Sequence, residues 1–262
     1  MFGAIVGDII GSVHEWAGTK TKDFPLFVED STFTDDTVLT VAVAEWILSG
    51  DDLVDLFHSA YREFPGRGYG GMFHDWAGKR RREPYGSYGN GSAMRVSPVG
   101  FAFDTLDEVL ERAERSAAVT HDHREGIRGA QAAAAAIFLA RTVRDREEIR
   151  RTLEERFGYD LSTPLDAIRP RYTFNETCQG TVPQAIRAFL ESADYEDAIR
   201  NAISLGGDAD TLACITGGMA EAYHGEVPPP IAREAMARLD PRLGAVVDRF
   251  RQRFLPTASA GS

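Results

Sequence analysis

From Ala130 to Ala140 the chain reads AQAAAAAIFLA, a stretch of small and apolar residues with one polar position. Alanine is the strongest helix former, and its methyl group lets a second helix approach closely. A helix without a polar face has to be buried, so this run predicts the centre of a helical bundle. Val38 to Leu48 (VLTVAVAEWIL) is apolar almost all round and predicts a second buried helix. Elsewhere the apolar residues recur at helical spacing: Leu212, Ile215, Met219 and Tyr223 form one stripe, Val182, Ile186 and Leu190 another. Long strand-like alternation is absent. The expected fold class is all-α, a single compact bundle.

Further helices are expected at about 4–16, 51–63, 107–118, 145–156, 194–204 and 230–238, with Asp51, Asp194, and Pro183 or Pro230 as start signals. Glu15 then falls at the end of a helix whose Ile5, Ile9 and Val13 face the core. Phe64–Met94 and Phe157–Cys178 follow neither period. The first is rich in Gly, Tyr and Arg and reads as a ligand-facing loop. No Pro/Gly/Ser-rich linker interrupts Met1–Leu255, so one domain is expected over 1–255, with a flexible tail at 256–262.

The 262 residues carry 29 Lys+Arg against 40 Asp+Glu, a net charge of −11. That balance argues against nonspecific nucleic-acid binding. Two cysteines, Cys178 and Cys214, are too few for a disulfide framework and read as small buried hydrophobes. The apolar start, Met1 to Val6, lacks a cationic flank and meets Asp8 too early for a signal peptide. Gly129–Ala140 falls short of the ~20 residues of a membrane span. A soluble cytoplasmic protein is expected.

Two acidic helix starts stand out: Thr34-Asp35-Asp36-Thr37 before Val38, and Asp208-Ala209-Asp210-Thr211 before Leu212. Capping needs one side chain, whereas each site supplies two carboxylates and at least one hydroxyl. No Lys or Arg lies between Lys22 and Arg62, or between Arg200 and Arg233, to act as a local counter-ion. Carboxylates against apolar helices are costly unless paired or metal-bound. Brought together, the two starts make an all-oxygen site suited to Mg²⁺ or Mn²⁺ and, without Cys or His, unsuited to zinc or copper.

Several separated blocks together resemble the ADP-ribosylglycohydrolase family: GAIVGDIIGSVHE (Gly3–Glu15), FTDDT (Phe33–Thr37), GSYGNGSAMRVSPVG (Gly86–Gly100), THDH (Thr120–His123) and SLGGDADTLACITGGMAEAYHG (Ser204–Gly225). The resemblance implies an orthogonal helical bundle with a binuclear Mg²⁺ or Mn²⁺ centre in a cleft for ADP-ribose. By the same resemblance the metal ligands are Thr34, Asp35, Asp36, Asp208, Asp210 and Thr211, and Glu15 is the catalytic residue or a ligand gate beside the metals. Gly86, Ser87, Tyr88, Gly89, Asn90 and Gly91 are similar to the loop that wraps the pyrophosphate and distal ribose. Gly68-Tyr69-Gly70-Gly71 is similar to a second phosphate-facing loop, with Gly70 a ligand contact, and His121 resembles a ligand-contacting histidine. Arg124 stands where many members place Pro. The basic run Lys79–Arg82 reads as a solvated loop.

The implied reaction is hydrolysis of the bond between ADP-ribose and an acceptor on a protein or small molecule, freeing ADP-ribose. The rival readings are a non-catalytic ADP-ribose binder or crystallin-like structural protein, and a metal-dependent phosphoesterase that releases AMP.

Overall fold

The computed structural model describes residues 1–255; the tail expected at 256–262 lies outside them. Fifteen helices follow in order: α1 (Phe2–Gly11), α2 (Asp35–Ser49), α3 (Leu53–Glu63), α4 (Gly71–Gly78), α5 (Gly91–Met94), α6 (Ser97–Ala102), α7 (Leu106–Ala118), α8 (Arg124–Thr142), α9 (Arg146–Phe157), α10 (Leu165–Ile168), α11 (Cys178–Leu190), α12 (Tyr195–Ile203), α13 (Ala209–His224), α14 (Pro229–Met236) and α15 (Pro241–Phe254). Among the described residues there is no strand, only an isolated bridge between Gly89 and Thr177. The expected all-α class is what forms. No described helix is long and apolar enough to cross a membrane.

The alanine run lies where its composition requires. Ala130 and Ala132 to Ala136 are all buried, and α8 packs against α5, α6, α7, α11 and α13. Buried apolar side chains from Met1 to Phe250 join one cluster.

The closest helix pair is α1 on α13. Gly3, Gly7 and Gly11 repeat every fourth residue and so share one face of α1. A Cβ on Gly7 would stand 2.0 Å from the Ala213 carbonyl oxygen, one on Gly3 2.4 Å from that of Gly217, and one on Gly11 2.5 Å from Asp210 Cα. The two backbones therefore touch without side chains between them, and the C-terminal end of α1 meets the start of α13. That contact positions the functional site.

Several local expectations are corrected. α1 stops at Gly11, not residue 16: Ser12 N–H closes its last turn on the Asp8 carbonyl, and residues 12–18 continue as a series of turns. Glu15 is thus on a turn, not a helix. The cap of α3 is Asp52, not Asp51; its Oδ1 accepts from Asp55 N at 3.1 Å. Pro183 lies inside α11, where it withholds a hydrogen bond only from the carbonyl of exposed Gln179. The unassigned stretch Phe64–Met94 contains the helices α4 and α5, the stretch Phe157–Cys178 contains α10, and Pro241–Phe254 forms a helix that its sequence did not announce.

Candidate active site

The α1–α13 contact brings three acidic segments together. Asp8, buried in the middle of α1, accepts on Oδ1 from Thr34 Oγ1 (2.7 Å) and on Oδ2 from Thr34 N (3.0 Å), Thr37 N (3.1 Å) and the Thr37 hydroxyl. It anchors the start of α2. Thr34 caps that helix through Asp36 N (3.2 Å), so neither Asp35 nor Asp36 is needed as a cap. At the start of α13, Asp208 makes no side-chain cap bond and instead accepts from Asn90 Nδ2 at 2.7 Å. Thr211 Oγ1 reaches Asp36 Oδ2 at 3.4 Å across the two segments.

Two trios of carboxylates are close enough to share an ion. Asp8, Asp36 and Asp210 form one and Glu15, Asp208 and Asp210 the other, each offering oxygens within 4.8 Å of one another. Asp36 Oδ1 is buried with no hydrogen-bond partner among the described residues. An orphaned carboxylate oxygen in such a place is costly unless a cation meets it, so the donor set fits hard divalent ions.

The titration behaviour follows from this crowding. Burial first, and Asp8 second, hold Asp35 and Asp36 well above the usual carboxylate range; for Asp210 the second cause is Asp208. Burial also raises Asp8, against the pull of its bonds from Thr37 and Thr34. Glu15 is half-buried, and burial together with the Asp208 charge pushes it up to about 7.

Glu15, Asp35, Asp36, Asp208, Asp210 and Thr211 floor a cleft of about 400 Å³, with Asp8 buried behind them; that volume is within the ~300–1,000 Å³ of small-ligand sites. Its side-chain charge is one-sided: Glu15, Asp35, Asp36, Glu176, Asp208 and Asp210 face it, with Arg95 as the lining cation. One wall is the loop Gly86–Gly91. Glycine is required at Gly86, where φ is +68°. The loop is pinned on both sides, by Gly86 N to Asp122 Oδ1 (2.8 Å), Asn90 N to the Glu176 carbonyl (2.7 Å) and Cys178 N to the Tyr88 carbonyl (2.9 Å). Ser87 N and Gly89 N are also engaged, to the Thr120 carbonyl (3.5 Å) and Ser87 Oγ (3.1 Å). Of the six loop N–H groups, those of Tyr88 and Gly91 have no protein acceptor among the described residues, so the loop offers a ligand fewer backbone donors than its glycines suggest.

Every site residue expected from sequence lines this cleft except Thr34, which sits behind Asp36 with its hydroxyl given to Asp8. Gly70 lines it at the start of α4, and His121 lines it while almost fully buried. His123 instead caps α8, its Nδ1 accepting from Glu125 N at 3.1 Å. The run Lys79–Arg82 does not line the cleft; Arg82 pairs with Asp52 (2.9 Å) and Asp55 (2.6 Å), and Lys79 with Asp75. Cys178 and Cys214 are buried and free, with burial pushing the Cys178 thiol up to about 12. Sequence reasoning missed Asp8, Arg95 and Glu176. A lone acid inside the apolar IVGDII and a lone base inside SAMRV were the available signals.

The sequence matches the family described as ADP-ribosylglycohydrolase over residues 1–259. It is 28% identical to ADP-ribosylhydrolase ARH3 of Xenopus tropicalis, across 88% of this chain and 87% of that protein. To ADP-ribosylhydrolase ARH3 of Homo sapiens it is 27% identical, across 85% and 84%. A solved structure named ADP-ribosylglycohydrolase-related protein complex superposes with a TM-score of 0.66 at 25% identity, covering 96% of both chains.

Proposed function

The chain belongs to the ADP-ribosylglycohydrolase family, and from that premise we propose that it hydrolyses the bond between C1 of the distal ribose of ADP-ribose and an acceptor, on a protein or a small molecule. The observation that carries this reading is the single cleft in which the acidic floor and the Gly86–Gly91 wall face the same space. We read residues 1–255 as one ADP-ribosylglycohydrolase-like domain. A cytoplasmic setting agrees with two cysteines that are both free.

The orphaned Asp36 Oδ1 and the two carboxylate trios support a pair of divalent cations, Mg²⁺ or Mn²⁺, with Asp36, Asp208 and Asp210 at the centre of the donor set; Asp35 and Thr211 line the same cleft and complete it, whereas Thr34, expected as a ligand, has its hydroxyl engaged by Asp8 and Asp36 N. When bound, such ions supply Lewis-acid polarisation of substrate oxygens and balance the carboxylate charge. Asp8 acts behind this set by fixing Thr34 and Thr37, and with them the start of α2. Gly70, Gly86, Ser87, Tyr88, Gly89, Asn90, Gly91 and His121 shape the wall against the ligand. Cleavage at C1 builds positive charge on the ribose ring, and Glu15 and Glu176, which line the cleft outside the proposed ligand set, are the carboxylates left to face it. Glu15 transfers the proton; without ions, burial and the Asp208 charge raise its carboxyl to about 7, and bound cations would draw it back down. The stack of Trp16 on Phe174, ring centroids 4.4 Å apart, steadies the turn that carries Glu15.

The test is incubation of the full chain with a panel of defined ADP-ribosylated substrates plus Mg²⁺ or Mn²⁺, with mass analysis of both products. Intact ADP-ribose and a restored acceptor are expected. Release of AMP would make the protein a phosphoesterase, and tight ADP-ribose binding without cleavage of any linkage would make it a binder.

A further inference from the structure

Arg95 is fully buried, yet no carboxylate pairs with it among the described residues. Its guanidinium lies over the Phe57 ring at 4.5 Å, its Nε and Nη1 have no partner, and its Nη2 donates to the Ser116 carbonyl (3.0 Å) and to Thr120 Oγ1 (2.7 Å). Thr120 Oγ1 in turn stands 2.7 Å from His121 Nδ1. Arg95 and Thr120 come from two separate sequence blocks, GSYGNGSAMRVSPVG and THDH.

A guanidinium can only donate, so Thr120 Oγ1 accepts from Arg95. The hydroxyl keeps one hydrogen and a second lone pair; His121 Nδ1 at 2.7 Å is its other close partner, and the hydrogen is satisfied there when it points at Nδ1. An imidazole that accepts at Nδ1 is neutral and carries its proton on Nε2. Burial and the nearby Arg95 charge both disfavour the protonated ring. The Nε2 edge faces the glycine loop, 3.2 Å from where a Cβ on Gly91 would stand, and no protein group among the described residues accepts from it. We propose that Arg95 and Thr120 are positioning residues that lock His121 as the Nε2–H tautomer, so that it supplies the cleft wall with a donor to an oxygen of the bound ligand. This donor matters because four of the six N–H groups of the Gly86–Gly91 loop are already engaged. The identity of the ligand, ADP-ribose, rests on the proposed function; the tautomer does not.

The experiment combines long-range ¹H–¹⁵N spectra of His121 in the full chain with calorimetry of ADP-ribose binding. Wild type is expected to show a protonated Nε2 and an unprotonated Nδ1. Thr120→Val should mix the tautomers and weaken ADP-ribose binding about two- to tenfold, the range of one neutral hydrogen bond, while Thr120→Ser should retain both properties. A wild-type Nδ1–H signal, or a Thr120→Val protein with unchanged tautomer and affinity, overturns the proposal. If Thr120→Val does not fold, the wild-type and Thr120→Ser spectra decide. A wild-type protein with the expected tautomer and no affinity for ADP-ribose upholds the lock and overturns the functional reading.

Discussion

Asn90 Nδ2 donates to Asp208 Oδ2 at 2.7 Å, with both residues buried, so the glycine loop and the acidic floor are joined by one charge-assisted hydrogen bond. A second bond from the same amide to Thr181 Oγ1 (3.2 Å) holds the Asn90 side chain against α11. Removing the amide leaves the Asp208 carboxylate short of a donor. Asn90→Ala should therefore cost about 1.5–3 kcal/mol, the range of a hydrogen bond to a charged group. Asn90→Asp should cost more in chelator than in Mg²⁺, because it sets a second carboxylate against the first. Urea denaturation of both variants in the two conditions checks this.

Chelation should lower the melting temperature, and by more at higher pH. Asp8, Asp35, Asp36 and Asp210 all titrate above their ordinary range in the folded chain without ions. The folded state then holds protons that the unfolded state releases, so this contribution to stability falls as pH rises above ~4, the unfolded carboxyl value, through the raised folded values. Cations favour the ionised forms and reverse the trend. Melting curves from pH 5 to 8, with Mn²⁺ and with chelator, should diverge with pH; parallel curves would count against the metal assignment. Asp36→Asn should stabilise the chelated protein and abolish the cation response.

Glu15→Gln should cut the rate about 10²–10⁴-fold, the span of a general acid or base, and leave ADP-ribose affinity nearly unchanged. The change is isosteric and the residue lies half-exposed on a turn, so little folding cost is expected. The limb of the kcat/KM profile that reports the Glu15 carboxyl should disappear with it. Loss of cation binding in this variant would identify Glu15 as a ligand.

Glycines in this chain should divide by what faces them. Gly7→Ala places a methyl 2.0 Å from the Ala213 carbonyl oxygen, forces α1 from α13, and should cost about 3 kcal/mol or more. Cation binding should weaken with it, because Asp8 and Asp210 move apart. Gly78→Ala meets only Tyr61 Oη at 3.8 Å and should be neutral or stabilising by about 0.4–1 kcal/mol. Calorimetric melting of both variants tests the contrast.

Asp52→Ala should lose about 1 kcal/mol through its cap on Asp55 N, and Asp51→Ala should lose almost nothing. Thermal denaturation of the pair separates them.

The helical class was legible because apolar periodicity is a local property. Leu212, Ile215 and Met219 recur at helical spacing in α13, which is buried from Ala209 to Ala222, and the alanine run of α8 has no polar face to offer. The acidic starts of α2 and α13 were legible for a related reason: residue type and the lack of nearby Lys or Arg are written along the chain. Helix ends were less so. The apolar period runs on to Val13, yet α1 stops at Gly11 and the chain continues in turns. The cap of α3 fell to one of two adjacent aspartates, a choice that depends on backbone dihedrals and not on residue type.

What the sequence determined by itself was therefore the set of helices and the chemistry of the groups available: hydroxyls and carboxylates at two helix starts, a glycine loop and a glutamate. Which groups face one another was decided by tertiary structure. Asp8 reads as one acid in an apolar helix until Gly7 lets α1 touch α13 and sets its carboxylate beside Asp36 and Asp210. Arg95 is one base within the block SAMRV until the fold buries it with Thr120 as an acceptor and places Thr120 beside His121. The physical reason is that propensity and periodicity act over a few residues, whereas the energy of a charge or a hydrogen bond is set within a few ångströms. Asp36 and Thr211, 175 residues apart in the chain, come within 3.4 Å only because the backbones of α1 and α13 pack without side chains between them.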